Sequence, residues 1–502
     1  MVWILGLYLL NSILMLIVAI SEVRKPAKAL LWLTISLCLP VIGFGLYLFT
    51  SNPVHIRRER LTSPDNKSDT LPDSFGHSAT VIVHALRHMC VHGLQSGQVQ
   101  VLVNGIKTYN KLIESLQNAQ RTIDLEYYIY RDDQIGRCIT DLLIERATAG
   151  VQVRFMRDGW GSRQFPKHQI LRMLEAGIEC RTIFPLRFPW LLSNWTYRDH
   201  CKNVVIDGKE GFTGGINIGY EYTGLKPDVG FWRDTHVRMV GEVEADLQAI
   251  FDNHWNLASP EQMKKRSFRN RKAEDTPSQN ITLPGRVAHS GWSPEWNYEV
   301  GTINDISIDT APNADALQRA YIQTVEGNPG IPTDVIRETY FICITQATQT
   351  IDITTPYFVP DSDIIMAIKT AVTRGVRVRL LVPNQIELST LIVGAASRTF
   401  YGELLEAGVN IHLYNKGMLH AKLMIIDGEI STVGTANYDM RSFRLNYEAC
   451  EIIYSSEVAK ELTEQFEYDI THSVPFNVED LLKFSLPQRI IDQGARLLSP
   501  LL

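Results

Sequence analysis

One nine-residue pattern occurs twice in this chain, and it limits the fold more than any other feature. The first copy runs from His200 to Gly208 and the second from His420 to Gly428, with Lys two positions after His and Asp five positions after Lys. The downstream residues also match, with Gly214, Gly215 and Asn217 after the first copy and Gly434, Thr435 and Asn437 after the second. A single short pattern arises easily by chance, but two copies with the same sequel indicate an internal duplication.

The sequence around the two motifs repeats as well. Strand-like runs at 122–130 and 349–358 are each followed by a helical pattern, which is 134–149 in the first half. Further strand-like runs follow at 151–156 and 374–382. Alternation of strands and helices is typical of α/β proteins. We therefore expect two duplicated α/β halves, packed with pseudo-two-fold symmetry, each presenting one motif.

Within each motif, His and Lys are two residues apart, so on a strand their side chains point the same way. Asp207-Gly208 and Asp427-Gly428 are strong hairpin-turn pairs. A tight two-residue turn would set His200 opposite Gly215 and His420 opposite Thr435, with each Asn on the face of its His. We also expect Asp207 and Asp427 to have an electrostatic or hydrogen-bonding role in the site beyond the turn.

These residue types indicate phosphodiester chemistry. Histidine can attack phosphorus or carry a proton at neutral pH. Lysine offsets charge on phosphoryl oxygens, and Asn adds an amide donor. Two facing motifs would supply a nucleophile and a general acid without a metal or other cofactor. Cys201 should face away from His200, as a small buried residue rather than a second nucleophile.

The amino terminus is apolar. Residues 1–20 and 29–50 carry no charge, and each run is long enough to cross a bilayer as a helix. We expect a two-helix transmembrane hairpin, which makes the chain a multi-pass protein of the cell (inner, cytoplasmic) membrane. Basic residues in the turn and after the second run are nearly balanced, so the positive-inside rule does not fix the side. Seven scattered cysteines with no Cys-x-x-Cys favour reduced thiols, and hence catalytic halves in the cytoplasm.

Length and charge complete this picture. The 502 residues divide into the hairpin at 1–50, a linker and entry segment at 51–97, the first half at 98–256, a linker and insertion at 257–320, and the second half at 321–502. The net charge of −6 disfavours a general nucleic-acid-binding protein. The basic stretch at 264–272 fits either a solvated linker or a strip that touches an anionic membrane. The sequence does not fix the oligomeric state and is compatible with a homo-oligomer.

The doubled motif resembles the phospholipase D superfamily, and the whole chain is similar to bacterial membrane-bound cardiolipin synthases. Besides the motifs, the likeness rests on 212–222, 230–236, 355–361 and 437–448. The resemblance implies a phosphatidyltransferase that joins two phosphatidylglycerol molecules into cardiolipin, releases glycerol and passes through a phosphatidyl-histidine. It also implies other anionic lipids as partners. Alternatives are a phospholipase D hydrolase, a transferase with another alcohol acceptor, and a non-catalytic membrane scaffold.

The resemblance assigns roles to individual residues. It implies His200 as nucleophile and His420 as general acid and base, with Lys202 and Lys422 on the phosphate. It implies that Glu448, and less directly Asp234, hydrogen-bond a catalytic imidazole. Thr435 occupies a position that usually carries a small hydroxyl residue beside the phosphate, whereas the first copy has Gly215 and only backbone amides there. Other candidates are a lipid-channel wall and a second phosphate site: Tyr127, Tyr128, Tyr357 and Phe358 for the wall, Arg441 and Arg444 for the phosphate.

Overall fold

The computed structural model describes residues 2–22, 26–51, 71–72, 75–89, 92–186, 197–261, 316–331, 333–384 and 391–499. The basic stretch at 264–272 lies outside these residues. Helices of the first part of the chain are α1 (Val2–Ser21), α2 (Pro26–Cys38), α3 (Ile42–Ser51), α4 (His77–Met89), α5 (Asn104–Asn118), α6 (Gln134–Thr148), α7 (Lys167–Glu175) and α8 (Glu244–Leu257). Those of the second part are α9 (Val335–Gln346), α10 (Ser362–Thr373), α11 (Leu391–Ala407), α12 (Met440–Arg444), α13 (Ser456–Thr471), α14 (Val478–Leu482) and α15 (Leu486–Leu497).

The strands divide between the two halves in the same way. The first half contains β1 (Leu94–Val103), β2 (Thr122–Tyr127), β3 (Gln152–Asp158), β4 (Glu179–Ile183), β5 (Arg198–Asp199), β6 (Lys202–Ile206), β7 (Glu210–Gly214), β8 (Phe231–Arg233), β9 (Thr235–Gly241) and β10 (Ser259–Pro260). The second contains β11 (Gln318–Gly327), β12 (Thr350–Thr354), β13 (Phe358–Val359), β14 (Arg377–Pro383), β15 (Asn410–Tyr414), β16 (Gly417–Leu419), β17 (Leu423–Ile426), β18 (Ile430–Gly434), β19 (Tyr438–Asp439), β20 (Asn446–Tyr454) and β21 (Ser473–Phe476). The alternating α/β order predicted from the sequence is confirmed.

The duplication is visible in the order of strand pairing. In the first half the order is β10-β4-β3-β2-β6-β7-β9-β1, and in the second it is β11-β20-β18-β17-β12-β14-β15-β21. The two series mirror each other about the antiparallel β1–β11 pair, as an approximate two-fold axis requires. Each half keeps its parallel strands together, β2-β3-β4 and β12-β14-β15. One apolar core includes strand residues of both halves, among them Val205, Val237, Leu423 and Ile453.

Two short parallel pairings cross between the halves and lead directly to the motifs. β5, just before His200, pairs with the start of β20. β16, just before His420, pairs with β8. Each motif therefore begins on a strand of its own half and beside a strand of the other.

The amino-terminal apolar runs form three helices rather than the two that were predicted. The second run is divided between α2 and α3, because Pro40 lacks an N–H and disfavours helical geometry at the residue before it. Val41 then adopts a positive φ of 63°. The buried side chain of Asn11 bridges this break, donating to Ser36 O at 3.2 Å and accepting from the Val41 N–H at 3.1 Å. Among the described residues, no helix has both the length and the apolar character needed to cross a bilayer.

Candidate active site

Each motif histidine is held by the backbone of the opposite half. The His200 N–H donates to Tyr447 O at 2.9 Å, and the His420 N–H donates to Arg233 O at 2.7 Å. These bonds continue the crossing strand pairs described above. Both imidazoles keep a small accessible surface, about 12% of each side chain.

Each imidazole also meets a fully buried carboxylate of the opposite half. His200 Nδ1 lies 2.9 Å from Glu448 Oε2, and His420 Nδ1 lies 2.7 Å from Asp234 Oδ2. The predicted carboxylate–histidine hydrogen bonds are confirmed, and the structure adds that both cross between the halves. With a carboxylate on Nδ1, that nitrogen carries the proton, and Nε2 of the neutral ring is left with its lone pair.

The carboxylates are ionised despite their burial. Burial raises the pKa of Glu448, but His200 and Lys202 outweigh it and bring the pKa to about 2. Burial likewise opposes the effect of Lys422 and His420 on Asp234, whose pKa lies below its ordinary value. Each histidine is thus oriented by a carboxylate that stays charged at neutral pH.

Burial dominates the pKa of both imidazoles and lowers it. For His420, burial and the neighbouring Lys422 bring the pKa to about 4, against the opposing charge of Asp234. For His200, burial also lowers the pKa, while Glu448 opposes the shift. At neutral pH and without ligand, His420 is therefore neutral.

The two lysines lie against their histidines and face the other half. Lys202 Nζ donates to His200 O at 2.6 Å, and Lys422 Nζ donates to His420 O. Lys422 Nζ is also 2.9 Å from Nδ1 and 3.1 Å from Nε2 of the same ring. An amine in the plane of the ring could not lie this close to both nitrogens without colliding with the carbon between them. Lys422 Nζ therefore lies over the face of the His420 ring.

Charge couples the two motifs. Burial and the charge of Lys202 together lower the pKa of Lys422 to about 7, against the opposing effect of Asp234. Lys422 in turn lowers the pKa of His200, and Lys202 lowers that of His420. The motifs, 220 positions apart in sequence, form one site.

The positions after the two motifs differ in what they do to the carboxylates. Thr435 Oγ1 donates to Glu448 Oε2 at 2.5 Å, and Asn446 Nδ2 donates to Glu448 Oε1 at 3.0 Å. In the first half, Gly215 lies so close to Asp234 that a Cβ would come within 2.0 Å of its Oδ1. The hydroxyl of Thr435 is thus directed at the Glu448 carboxylate. At the equivalent position in the first half, Gly215, there is no room for a side chain beside Asp234.

The hairpin turns shift the predicted register by one residue. Val204 pairs with Phe212, and Leu423 pairs with Val433. This register sets His200 opposite Ile216 and His420 opposite Ala436 instead of the predicted partners. The Asp-Gly pairs do form the turns, with positive φ at all four residues, and one further residue after each turn accounts for the shift.

The two motif asparagines are buried and make hydrogen bonds near the site rather than to the histidines. Asn217 Oδ1 accepts from the Ile129 N–H at 3.1 Å, and its Nδ2 donates to Tyr222 Oη at 3.0 Å. Asn437 Nδ2 donates to Asp439 Oδ2 at 3.1 Å, whereas its buried Oδ1 has no partner among the described residues. Their predicted contact with phosphate remains a prediction.

Asp207 and Asp427 lie outside the site, which corrects their prediction as catalytic residues. They directly follow β6 and β17, five residues beyond the lysines, or roughly 16 Å along a strand. Both carboxylates accept backbone N–H groups of the segment that enters the central parallel strands: Gln120, Arg121 and Thr122 for Asp207; Thr348, Gln349 and Thr350 for Asp427. These hydrogen bonds connect the tip of each hairpin to the loop before β2 in the first half and before β12 in the second.

Aromatic side chains line both imidazoles, though not all of those predicted. The Tyr128 ring contacts His200 edge-on at a centroid distance of 5.0 Å. Trp232 and Tyr222 lie 5.4 and 6.4 Å from the His420 ring. Sequence reasoning missed this second pair, although Trp232 comes just two residues before Asp234.

The remaining candidates divide between the core and the site. Tyr127 and Phe358 are buried in the cores of their halves, and Tyr357 is half-buried. Arg441 is close enough to influence Tyr128 electrostatically. Arg444 instead pairs with Asp334 at 2.6 Å.

A buried polar cluster lies behind His200, on the opposite face of its strand. Ligand-type atoms of Glu126, Asp199, Cys201 and His254 all lie within 4.8 Å of one another. His254 Nδ1 is 2.6 Å from Glu126 Oε1 and its Nε2 is 3.3 Å from Glu326 Oε1. Burial opposes the charge of His254, but the Glu126 carboxylate raises its pKa well above the ordinary value. Both ring nitrogens thus face carboxylates, which stabilise the charged imidazolium form of His254.

The expectation for Cys201 is confirmed, since its side chain is fully buried on the side away from the site. Burial raises the pKa of its thiol well above the ordinary value. The cysteines among the described residues are free thiols.

Comparison with known proteins identifies the family. The family model described as cardiolipin synthase, PLD-like domain, matches residues 112–255 and 340–470. The chain is 34% identical over 496 residues to cardiolipin synthase 2 of Bacillus anthracis, covering 96% of this chain and 88% of the relative. It is 35% identical over 498 residues to cardiolipin synthase of Geobacillus sp. (strain WCH70), covering 96% and 90%. The chain belongs to the cardiolipin synthase family of phospholipase D-like proteins.

Two further matches concern the amino terminus and the fold of the chain. A model described as phospholipase D-nuclease N-terminal matches residues 12–52, which include the second half of α1 and all of α2 and α3. The crystal structure of phosphatidylserine synthase from Haemophilus influenzae Rd KW20 aligns with 81% of this chain and 97% of that chain, with a TM-score of 0.56 and 14% identity. At that identity the likeness concerns the fold alone. The two PLD-like domains of the family model correspond to the two halves that meet at the site.

Proposed function

We propose that this protein is a phosphatidyltransferase that makes cardiolipin from two molecules of phosphatidylglycerol and releases glycerol. The observation that carries the proposal is the reciprocal pair of bonds from Glu448 to His200 and from Asp234 to His420. They leave two Nε2 atoms with the same chemistry in one site, beside two buried lysines. The family, and the names of its relatives, support the substrate class.

In the first step, His200 Nε2 attacks the phosphorus of the first phosphatidylglycerol. A P–N bond forms while the P–O bond to glycerol breaks, and His420 gives its proton to the departing oxygen. Lys202 and Lys422 offset the charge that develops on the phosphoryl oxygens. The phosphatidyl group now rests on His200.

In the second step, a free hydroxyl of the second phosphatidylglycerol attacks the same phosphorus. His420 takes the proton of that hydroxyl, the new P–O bond forms and the P–N bond breaks. His200 is restored with its Glu448 partner unchanged. The phosphatidyl group is kept on the protein until an alcohol arrives, which suits transfer rather than hydrolysis.

The proton of His420 must enter with the substrate. With a pKa of about 4 the free ring is neutral at neutral pH, so it must gain a proton before it can act as a general acid. An anionic phosphodiester beside Lys422 offsets the charge that lies over the ring, so substrate binding raises the pKa of His420. Substrate binding should therefore be accompanied by proton uptake.

The site meets its lipid at a bilayer. In support, the family's N-terminal model matches residues 12–52, and α1 exposes large aliphatic side chains that include Leu9, Leu16 and Ile20. We propose that the amino-terminal helices hold the protein on the cell membrane, with both halves on its cytoplasmic side.

The deciding experiment incubates the purified full chain with phosphatidylglycerol labelled in its headgroup glycerol and identifies all products. Cardiolipin and free glycerol in equal amounts are expected. Phosphatidic acid as the main product would indicate a hydrolase instead. Activity that survives in a His200→Ala/His420→Ala variant would overturn the proposed chemistry.

A second measurement assigns the two histidines. Rapid quenching followed by peptide mass spectrometry should find the phosphatidyl adduct on the peptide that contains His200. An adduct on His420 would reverse the roles but keep the double displacement. The lowered pKa of His420 leaves its ring neutral in the free protein, as a nucleophile requires. The position of the adduct therefore decides between the two assignments directly.

A further inference from the structure

The carboxyl-terminal helix α15 turns its aliphatic side chains to the outside. Leu486, Ile490, Ile491 and Leu497 are 72, 64, 60 and 72% exposed. A helix that packs on a globular protein normally buries this kind of face. Just before it, Leu482 is 70% exposed. We call these five residues the C-terminal apolar face.

The opposite face of α15 is polar, and it is the face that packs on the protein. Asp492 is buried and pairs with Arg398 of α11 at 2.7 Å. Gln488 donates to the same Asp492 at 2.9 Å, and Arg496 donates to Thr399 O at 3.1 Å. The helix is therefore anchored by directed polar bonds, and its outward apolar face is a stable feature of the fold.

The helix that carries α15, α11, also contacts the core of the second half. Ser397 of α11 accepts the backbone N–H of Phe358 at 3.1 Å, in the segment that follows β12. Its neighbour Arg398 holds Asp492. One helix thus holds α15 on one side and the segment after β12 on the other.

We propose that the C-terminal apolar face inserts into the headgroup and acyl boundary of the phospholipid bilayer. An amphipathic helix with a compact row of large aliphatics lies in this boundary, with its polar face toward the protein or water. The proposal rests on the proposed function, because a protein whose substrate is a bilayer lipid must bring its site to the bilayer. The apolar amino-terminal helices place the same chain at the same surface, so a bilayer is favoured over a second copy as the occupant.

The test places a spin label on the face and measures which quencher reaches it. The full chain, with Cys38, Cys90 and Cys138 replaced by Ser, is reconstituted into vesicles of phosphatidylglycerol and phosphatidylcholine. The label is attached at Leu486→Cys or Ile490→Cys, and at Lys460→Cys as control. Lys460 lies on α13, and its side chain is 78% exposed. Labels at 486 and 490 should be more accessible to lipid-soluble oxygen than to a water-soluble nickel chelate, and the label at 460 should show the reverse.

Two results would overturn the proposal. Labels at 486 and 490 that behave like the label at 460 would show that the face is open to water. Labels shielded from both quenchers would show that a protein surface, such as a second copy, covers it. Neither result depends on enzymatic activity, so a failure here is distinct from a failure of the proposed function.

A kinetic arm uses the variant Leu486→Gln/Ile490→Gln/Ile491→Gln. Its turnover with phosphatidylglycerol in vesicles should fall by roughly tenfold, because insertion of the face is lost. Its turnover with a short-chain phosphatidylglycerol dissolved as monomers should stay at the level of the unmodified protein. Lys460→Gln/Glu464→Gln serves as the matched surface control. Equal losses on both substrates would indicate damage to the fold and contradict a role at the bilayer.

Discussion

Glu448 of the second half accepts the Nδ1–H of His200 of the first half at 2.9 Å. The two residues are 248 positions apart, and the bond exists only if the halves are docked. Asp234 and His420 form the reciprocal pair. Neither half alone contains a complete histidine–carboxylate pair, so the duplicated halves act as one catalytic unit.

Replacing Glu448 by Gln tests this relationship. The amide keeps the volume and can still accept from Thr435, but it loses the charge that stabilises an imidazolium and fixes the tautomer of His200. We expect kcat to fall by about 10²- to 10⁴-fold with little change in KM. Steady-state transfer assays of purified variants measure it.

The control for Glu448→Gln is Glu457→Gln, an exchange near the start of α13 and outside the site. It should leave kcat unchanged. A Glu448→Gln variant that retains more than about a tenth of the activity would show that the carboxylate does not set the reactivity of His200.

The alkaline side of the kcat/KM profile should have two contributions, the proton that His420 must take up and, near pH 7, the loss of the Lys422 charge. The pKa of this amine is about 7 in the free protein. It is charged below that pH, and its charge is lost as the pH rises through 7, so binding of the phosphodiester anion should weaken there. On the acid side, kcat/KM should fall as His200 becomes protonated below the ordinary pKa of histidine, since burial lowers its value.

Lys422→Arg isolates the alkaline limb. A guanidinium stays charged to well above pH 10, so the additional decline near pH 7 should disappear, while the fall due to proton uptake by His420 remains, even if the maximum activity is reduced. An alkaline limb that persists unchanged in this variant would assign it to another group. Rate–pH profiles from pH 4 to 10 in a constant-ionic-strength buffer measure both limbs.

The doubled motif was sufficient to predict the duplicated α/β fold and the two histidines, because those depend on short-range patterns that repeat. It did not give the hairpin register. Both Asp-Gly pairs form the turns, but a residue after each turn shifts the pairing by one, and nothing local in the sequence distinguishes the two forms. Pro40 marks the break between α2 and α3, whereas the apolar character of the run around it favours a single helix.

Long-range docking accounts for the rest. Trp232 and Tyr222 reach the ring of His420 only because β8 pairs with β16 of the other half. In the sequence, the motif aspartates look catalytic because they keep the same spacing from His and Lys in both copies. In the structure, they lie beyond the end of the motif strand that is farther from the histidine. Spacing along a strand fixes the face of a side chain, but only the length of the strand fixes its distance from the site.

Asp207→Ala should reduce stability and leave chemistry intact. Its carboxylate accepts three backbone N–H groups, and those bonds lower its pKa although partial burial opposes them. The loss should be about 1–3 kcal/mol in the free energy of unfolding. Its contribution is present above the unfolded pKa near 4 and is lost as the pH falls through the lower folded value.

Denaturant unfolding at pH 7 and pH 3 measures the effect of Asp207→Ala, and kcat per folded molecule gives the second readout. Asp427→Ala should behave alike at pH 7, because Asp427 makes the equivalent bonds in the second half. A normal stability combined with a hundredfold loss of kcat would restore the catalytic role that the geometry denies.

Gly215→Thr makes the first copy of the motif match the second, yet it should be harmful. A Cβ at this position would come within 2.0 Å of Asp234 Oδ1, so the carboxylate must move away from His420. We expect kcat to fall by more than about tenfold, comparable to loss of an orienting partner. The reverse exchange, Thr435→Gly, removes one donor from Glu448 without a clash and should cost less. If Gly215→Thr proved the milder of the two, the close approach of Gly215 to Asp234 would not matter for function.

His254→Ala should unfold the first half more readily than any exchange at the catalytic histidines. The imidazolium of His254 lies between Glu126 and Glu326, and all three side chains are buried. Removing it leaves two buried carboxylates without their cation, which costs about 3–5 kcal/mol. The raised pKa of His254 means that its contribution is complete below about pH 6.5 and is lost only as the pH rises through the folded value. Thermal unfolding between pH 6 and 10 should therefore show a decline in the native protein that is absent from the variant, and a variant that keeps the native stability and the native pH profile would show that the cluster holds no charged histidine.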